Sequence, residues 1–325
     1  MQIVRVAEPG GPGVLSLAEE DAPVPGPGDM VVAVAAAGVN RADLLQRAGH
    51  YPAPPGAPAW PGLEVSGHVA ALGPEAPSGW HLGDPVVALL GGGGYAEQVR
   101  VPCAQVLPLP HGVDLVDAAA LPEAACTVWS TLTAARLQPG EWLLVHGGSG
   151  GIGTLAVQVA AAAGARVITT AGGPERVRRC LGLGAEVAVD HRSEDFVERV
   201  REVTGGHGAD VVLDVVGGAY LSRNLEVLAV GGRLAVIGLQ RGRRAELDLG
   251  MLLDRRLTVL GTTLRSRPAA EKAAIVAQVR EHVWPMVEQG RVRPVVHARL
   301  PLAEAARAHE LVESGEAFGK VLLIP

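Results

Sequence analysis

Cysteine, lysine and positive charge are all in short supply in this 325-residue chain. The three cysteines, Cys103, Cys126 and Cys180, are too few and too scattered for a disulfide framework or a four-cysteine zinc knot, so a reducing, cytoplasmic location is expected. Two lysines, Lys272 and Lys320, stand against 26 arginines, a bias that points to a GC-rich genome and says nothing about chemistry. The formal net charge of −6, with no basic domain or stripe, argues against a dedicated nucleic-acid binder. The N-terminus shows no basic start followed by an apolar stretch, so no signal peptide is expected. One run without charge, Trp142–Ala165, has the length of a bilayer span, which takes about 20 apolar residues. It places five glycines in seven positions, Gly147–Gly153, which a lipid-facing helix does not do, and no membrane partner is expected. The ten histidines offer no H-x-x-H or H-E-x-x-H spacing and the cysteines no C-x-x-C, so spacing reveals no zinc ligand set.

What is present is apolar bulk and many turns. Hydrophobic residues make up 48% and charged ones 19%, which excludes global disorder. At about 100–200 residues per domain, two domains are expected. No repeat or low-complexity tail is seen. Short β-like runs open the chain: Met1–Val6, Met30–Ala37, Glu64–Leu72, Pro85–Leu90 and Ala96–Val101, with brief helical stretches at Asn40–Arg47 and Asp117–Leu121. This predicts a compact, mostly β domain over residues 1–122. After the helical segment Glu123–Arg136, apolar strands at Trp142–His146, Arg166–Thr170, Glu186–Val189, Asp210–Val215, Arg233–Ile237 and Leu257–Gly261 alternate with helical patterns at Ile152–Ala163, Pro174–Leu181, Glu194–Val203 and Tyr220–Leu228. Wholly apolar strands separated by helices predict an α/β doubly wound parallel sheet over residues 123–266. A long helix, Ala269–Gln289, and strands Pro294–Leu300 and Gly319–Leu323 then predict a return to the first domain over residues 267–325.

The strand ending at His146 runs into a glycine loop and then a helix. Gly148, Gly150 and Gly153 fill the G-x-G-x-x-G frame, and Ser149, Gly151 and Ile152 complete the loop. Residues without Cβ allow a tight turn, close approach to a pyrophosphate and close helix–strand packing, and the helix N-terminus favours anions. An NAD site wants an acid about 20 residues on, to bind the ribose 2′-hydroxyl. Here the next strand ends Thr169-Thr170-Ala171-Gly172-Gly173, without one, and Arg176 follows within a turn. A guanidinium in place of a carboxylate suits a 2′-phosphate, so NADPH is favoured over NADH. His191 and Arg192, after the third strand, are placed to help hold the same phosphate. A glycine-rich packing turn and a solvated Arg176 are the plain alternatives.

Several stretches together resemble a known family: Gly38-Val39-Asn40-Arg41-Ala42-Asp43, Arg47–Pro52, Pro61–Val69, the loop His146–Gly153, Gly93–Glu97 and Leu264–Arg267. They are similar to the medium-chain dehydrogenase/reductase superfamily, and within it to the zinc-free, zeta-crystallin-like NADPH:quinone oxidoreductases. The likeness covers nearly the whole chain. It implies a GroES-like β domain, an inserted Rossmann domain, a C-terminal return, and an active site in the cleft between the domains. Zinc-dependent members carry Cys, His and Cys ligands where this chain has Asn40, Leu63 and Glu123, and the structural zinc lobe is missing. Without a metal to polarise a carbonyl, the resemblance implies an acceptor that is already a strong oxidant, such as a quinone.

Carried over residue by residue, the resemblance implies nicotinamide-side roles for Asn40 and Thr127. Asn40 would hold the carboxamide or the acceptor oxygen, or else cap a turn. Tyr51 would stack on a flat quinone, and Tyr95 falls in a second cleft motif. Asp43 would orient Asn40 or Tyr51, or cap a helix; Glu64 would be buried and structural. Gly238, Leu239 and Leu264 resemble nicotinamide contacts, and Lys320 the late basic residue that reaches toward cofactor or acceptor, or else a plain surface lysine. Cys126 reads as a small core residue and Arg241–Arg244 as a solvated loop. The apolar edge strand Leu257–Gly261 implies a homodimer. Two other functions stay open: reduction of an enone or alkenal double bond by the same fold, and an NADPH-binding structural or RNA-binding role.

Overall fold

The computed structural model describes all residues, Met1–Pro325. The chain divides into two units, residues 1–126 with 264–325, and residues 127–263.

The first unit begins with β1 (Gln2–Val6), antiparallel to β2 (Leu15–Glu19). Then come β3 (Asp29–Gly38), α1 (Arg41–Arg47), β4 (Glu64–Leu72), β5 (Pro85–Leu89), β6 (Gln98–Pro102) and β7 (Val106–Pro108). The strands pack around a core that includes Met30, Val65, Val86, Tyr95 and Val321. The chain leaves this unit inside α2 (Pro122–Ala134).

The second unit alternates strand and helix. In order they are β8 (Trp142–Val145), α3 (Gly151–Ala162), β9 (Arg166–Ala171), α4 (Pro174–Leu181), β10 (Val187–Asp190), α5 (Phe196–Val203), β11 (Ala209–Asp214), α6 (Leu221–Val227), β12 (Leu228–Val236), α7 (Leu249–Arg255) and β13 (Thr258–Gly261). All six strands are parallel, in the order β10-β9-β8-β11-β12-β13, the doubly wound arrangement. All four residues of β8 are buried, as a strand covered on both faces requires. The strand expected at a sheet edge, β13, lies at one.

The chain returns through α8 (Ala269–His282), α9 (Trp284–Glu288), β14 (Val296–Pro301), α10 (Ala305–Glu313) and β15 (Lys320–Ile324). β15 pairs with β14 and with β3, so the two ends of the chain share a seven-stranded sheet. No helix is long and apolar enough to cross a membrane.

Four features differ from the sequence expectation. The single helix over Ala269–Gln289 is two, because Pro285 opens α9 and has no N–H to continue α8. β12 begins at Leu228 and runs through Gly231-Gly232, whereas the apolar run alone marks only Arg233–Ile237. β2, β7 and α7 are too short or too exposed to carry a pattern. α10 exists because Ala305, Ala308 and His309 bury one face.

Candidate active site

Each unit holds one concentration of polar chemistry. In the Rossmann unit it is the turn from β8 into α3. Gly148 lies so close to β9 that a Cβ there would sit 2.0 Å from Thr169 Oγ1, and a Cβ on Gly153 would sit 2.1 Å from the Gly147 carbonyl oxygen. Internal packing therefore demands both glycines. Gly150 is different: a Cβ would meet only the Gly147 carbonyl oxygen, at 3.5 Å. Nothing inside the chain needs glycine at this point, and the space stands open beside the first turn of α3. That turn carries no acidic residue and no side-chain cap, so its leading N–H groups face outward together with Ser149, Gly151 and Ile152.

The loop is tethered from beneath by Thr170. Its carbonyl accepts from Gly148 N at 2.9 Å and its hydroxyl oxygen from Gly147 N at 3.2 Å. His146, fully buried, holds the Thr170 hydroxyl through Nδ1 at 3.1 Å, and its Nε2 donates to Asn224 Oδ1 at 2.8 Å. This network assigns a neutral ring protonated on Nε2. Burial lowers the His146 pKa to about 4, which keeps it neutral.

At the end of β9, Gly172 is overhung by the next turn. A Cβ on it would lie 3.1 Å from both Arg192 Nε and His191 Nε2. The acid that ends β10, Asp190, is occupied: Oδ1 accepts from Gly173 N at 2.9 Å and Arg192 N at 3.1 Å, and these bonds lower its pKa. Arg192 is thus the guanidinium against Gly172, while Arg176 is half-buried on α4. Gly238 follows β12, where a Cβ would lie 2.8 Å from the Val215 carbonyl oxygen, and Leu239 beside it is exposed. Thr127, on α2, accepts from the Thr131 hydroxyl at 2.7 Å through its carbonyl.

The GroES-like unit holds the second concentration, around Glu64. This carboxylate is fully buried and has three donors: Asn40 Nδ2 at 2.8 Å, Glu123 N at 2.9 Å and Lys320 Nζ. Room for it exists because residue 38 is glycine; a Cβ there would sit 2.3 Å from Glu64 Oε1. Asn40 Oδ1 accepts from Lys320 Nζ at 2.6 Å. The expectation that Lys320 reaches toward cofactor or acceptor is corrected: its ammonium is buried on β15 and held by Asn40 and Glu64. Asn40 is likewise engaged at both ends of its amide, so its placement at the head of α1 serves the Glu64–Lys320 pair first.

Asp43 caps α1, accepting from Asn40 N at 2.8 Å, and also accepts from Gly62 N at 2.9 Å. Gly62 has φ +110° and would drive a Cβ to 2.5 Å from Gly94 Cα, so only glycine lets these loops meet. Burial raises the Asp43 pKa to about 6. Tyr95, in the other motif, is fully buried core. Its hydroxyl donates to Asp43 Oδ2 at 3.3 Å and accepts from His309 Nε2 at 3.1 Å, while Arg47 donates to His309 Nδ1 at 3.4 Å. Burial and the Arg47 charge lower the His309 pKa to about 3. Asp43 therefore serves Asn40 and Tyr95, and it has no bond to Tyr51. Leu264, also expected near nicotinamide, is buried where the chain re-enters this unit.

Sequence reasoning passed over Arg265 and Lys272, and considered Glu123 only as a metal position. Arg265 donates Nε to Gly91 O at 2.8 Å, one terminal nitrogen to Tyr51 O at 3.2 Å and the other to Gln46 Oε1 at 2.6 Å. It holds the Tyr51 loop in place, its guanidinium 5.3 Å from the half-buried tyrosine ring. Burial and the neighbouring Glu64 charge raise the Glu123 pKa to about 8, so this acid keeps its proton at neutral pH. The scarcity of lysine was the signal available in sequence.

Comparison with known proteins extends the picture. Residues 26–111 match the alcohol dehydrogenase GroES-like domain and residues 151–279 the zinc-binding dehydrogenase domain. A quinone oxidoreductase of Lama guanicoe is 34% identical, over 100% of this chain and 97% of that protein. Among solved structures, Escherichia coli quinone oxidoreductase complexed with NADPH superposes with TM-score 0.90 at 30% identity, covering 100% of both chains. An NAD-dependent alcohol dehydrogenase superposes with TM-score 0.89 at 34% identity, again over 100% of both. The zinc in one domain's name does not fit the residues present. Leu63 has no donor atom, the Asn40 oxygen is taken by Lys320, and no three His, Cys, Asp or Glu side chains converge as a metal would require. By full-length similarity at these levels, the chain belongs to the medium-chain dehydrogenase/reductase superfamily of oxidoreductases, in its zeta-crystallin-like quinone oxidoreductase branch.

Proposed function

We propose that the protein is an NADPH-dependent quinone oxidoreductase that works without a metal ion. The observation that carries the reading is the open space at Gly150, beside an uncapped helix N-terminus that holds no acidic residue. The fit to NADPH also rests on Arg192, which overhangs Gly172 where an NAD site would place a free carboxylate, and on Asp190 being occupied by backbone donors. Gly148, Ser149, Gly150, Gly151 and Ile152 would hold the diphosphate; Arg192, His191 and Arg176 the 2′-phosphate; and Thr127, Gly238 and Leu239 the nicotinamide side. Bound there, the cofactor supplies a hydride. Tyr51, with its ring half-buried and its loop held by Arg265, offers a face for a flat acceptor.

The decisive experiment is cofactor choice by fluorescence titration. NADPH should bind at least about tenfold tighter than NADH, about 1.4 kcal/mol. Arg192→Ala and Arg176→Ala should each narrow the gap. Equal affinity for the two cofactors would overturn the assignment and favour the NAD-dependent relative as the guide. Turnover of a naphthoquinone against an alkenal then separates quinone from double-bond reduction.

The acceptor is a small molecule, and a net charge of −6 argues against a nucleic-acid partner. None of the three buried cysteines is in a disulfide, in keeping with a cytoplasmic protein. A homodimer would form through β13, a sheet edge on which Val259 is exposed, with Leu249 and Leu253 exposed on the preceding helix. Sedimentation of a monomer at micromolar concentration would refute it.

A further inference from the structure

Two side chains of the GroES-like unit carry a cost for which the fold shows no return. Glu123, at the head of α2, is 9% exposed and Lys272, on α8, is 8% exposed. Burying an acid or an ammonium group is unfavourable unless a partner compensates. Every other buried charge in this unit has one: Glu64 with Lys320, Asp43 with two backbone N–H groups, Arg47 with Glu313, Arg265 with three oxygens. The Glu123 carboxyl and the Lys272 ammonium have no hydrogen bond or ion pair. The sealed side-chain atoms without a partner are Ser66 Oγ and Asn224 Nδ2 alone, so the tips of Glu123 and Lys272 keep an opening to the outside.

The two groups belong to one setting. Lys272 Nζ lies 3.8 Å from the Cβ position of Gly91, whose carbonyl is held by Arg265, which also holds Tyr51. When ionised, Glu123 is near enough for its charge to reach both Lys272 and Tyr51. The chain contains two lysines, and both are buried near Glu123: Lys320 completes the Glu64 pair, and Lys272 is left without an internal partner.

We propose that Glu123 and Lys272 together receive an oxygen of the acceptor, Glu123 as the catalytic acid that gives it a proton and Lys272 as the cation that holds the negative charge forming on it. The inference rests on the quinone reductase reading above and names the residues that finish that reaction. A quinone that gains a hydride has gained two electrons and one proton and carries one oxyanion. The O–H bond of Glu123 breaks, an O–H bond forms on that oxygen, and the hydroquinone leaves. The Glu123 carboxylate then regains its proton from water. Glu123 is suited to this because it is still protonated near neutral pH. The groups that set its titration are Glu64 on β4, Asp43 on α1, Lys320 on β15, Arg265 ahead of α8 and Lys272 on α8, with Tyr51 after α1 and Cys126 on its own helix also coupled to it.

The test compares wild type with Glu123→Gln, Lys272→Met and Lys272→Arg, each first titrated with NADPH. Unchanged NADPH affinity shows that the cofactor site is intact. With 1,4-naphthoquinone, the wild-type rate should fall above about pH 8, and Glu123→Gln should lower kcat about tenfold or more and abolish that fall. The loss should grow as the quinone becomes a weaker oxidant. Lys272→Met should lower kcat and raise KM, and Lys272→Arg should restore part of both. A second readout needs no turnover. Without cofactor, 4-nitrophenol should bind wild type as the phenolate, with its absorption at long wavelength retained below its solution pKa, and Lys272→Met should lose this. Wild type that binds NADPH but reduces no quinone would defeat the reductase reading, while the nitrophenol shift would still uphold the oxyanion site. A Glu123→Gln enzyme with wild-type kcat and pH profile, or a nitrophenol spectrum indifferent to Lys272, would overturn the proposal.

Discussion

At the head of α3 the chain has stripped side chains away; around Glu64 it has crowded them in. The loop Gly147–Gly153 presents bare main chain to whatever approaches. Its specificity is a matter of where Cβ atoms are not, and two of its glycines are demanded by the protein's own packing before any ligand is considered. The Glu64 cluster draws donors from the start of α1, the start of α2 and from β15, more than 250 residues away in sequence. Removing a side chain leaves a mark in consecutive residues. Pairing buried charges leaves none, because each partner lies on a different element. The lesson is that binding by backbone can be read locally, whereas placement of buried acids and bases depends on which elements pack together.

The largest effect that would test this contrast is loss of one partner from the buried pair. Lys320→Met should destabilise the protein by about 3–5 kcal/mol in urea unfolding, since Glu64 would keep a buried charge with two neutral donors. The double variant Lys320→Met/Glu64→Gln should recover much of that loss. A single variant as stable as wild type would mean that the pair is not buried as described.

Next come the glycines, which should split into two classes. Gly153→Ala forces a Cβ against the Gly147 carbonyl and should cost about 1–3 kcal/mol of stability. Gly150→Ala should leave stability within about 0.5 kcal/mol, because no internal atom is crowded. It should still weaken NADPH binding about tenfold or more, about 1.4 kcal/mol, by filling the space the diphosphate needs. If both variants behave alike, the loop is a packing device and not a ligand cradle.

The buried histidines give a pH-dependent effect. His146 and His309 titrate at about 4 and about 3 in the folded chain, below the 6.5 of a free histidine. The unfolded chain therefore takes up protons first. Their contribution is full above pH 6.5 and is lost as pH falls from there toward 4 and 3, at up to about 1.4 kcal/mol per unit for each ring. Asp43, raised to about 6, opposes this over part of the same window, since its folded form takes a proton more readily. His309→Gln should accordingly flatten the decline in urea midpoint between about pH 6.5 and 4 relative to wild type. An unchanged slope would indicate that His309 is charged in the folded state.

A pH-dependent effect of opposite sign belongs to Glu123. Its folded pKa of about 8 exceeds the 4.5 of a free glutamate, so stability drops as pH rises through that interval. Glu123→Gln should gain in melting temperature over wild type as pH increases, with the two converging in acid. Parallel curves would show that the carboxyl is already ionised at neutral pH.

Much of the architecture was legible because it is local. The apolar strands β8, β9 and β11 announce a sheet covered on both faces. The burial of Tyr95 and Lys320 leaves no mark in sequence, because a tyrosine and a lysine look alike there whether they face solvent or core. Arg192 was noticed only as an accessory to Arg176, since the turn that folds it over Gly172 depends on Asp190 capping two backbone N–H groups. Nothing in the sequence around Lys272 marks it beyond the scarcity of lysine.

Sequence by itself determined the parallel sheet, the glycine loop and the absence of zinc-ligand spacing, because each is a pattern of residue types a few positions apart, fixed by period, sterics or donor chemistry. Tertiary structure alone decided which charges are buried, which of those are paired and which acid keeps its proton. Desolvation is a property of everything packed around a group, and residues 40, 64, 123, 272 and 320 acquire their chemistry only when their separate elements meet.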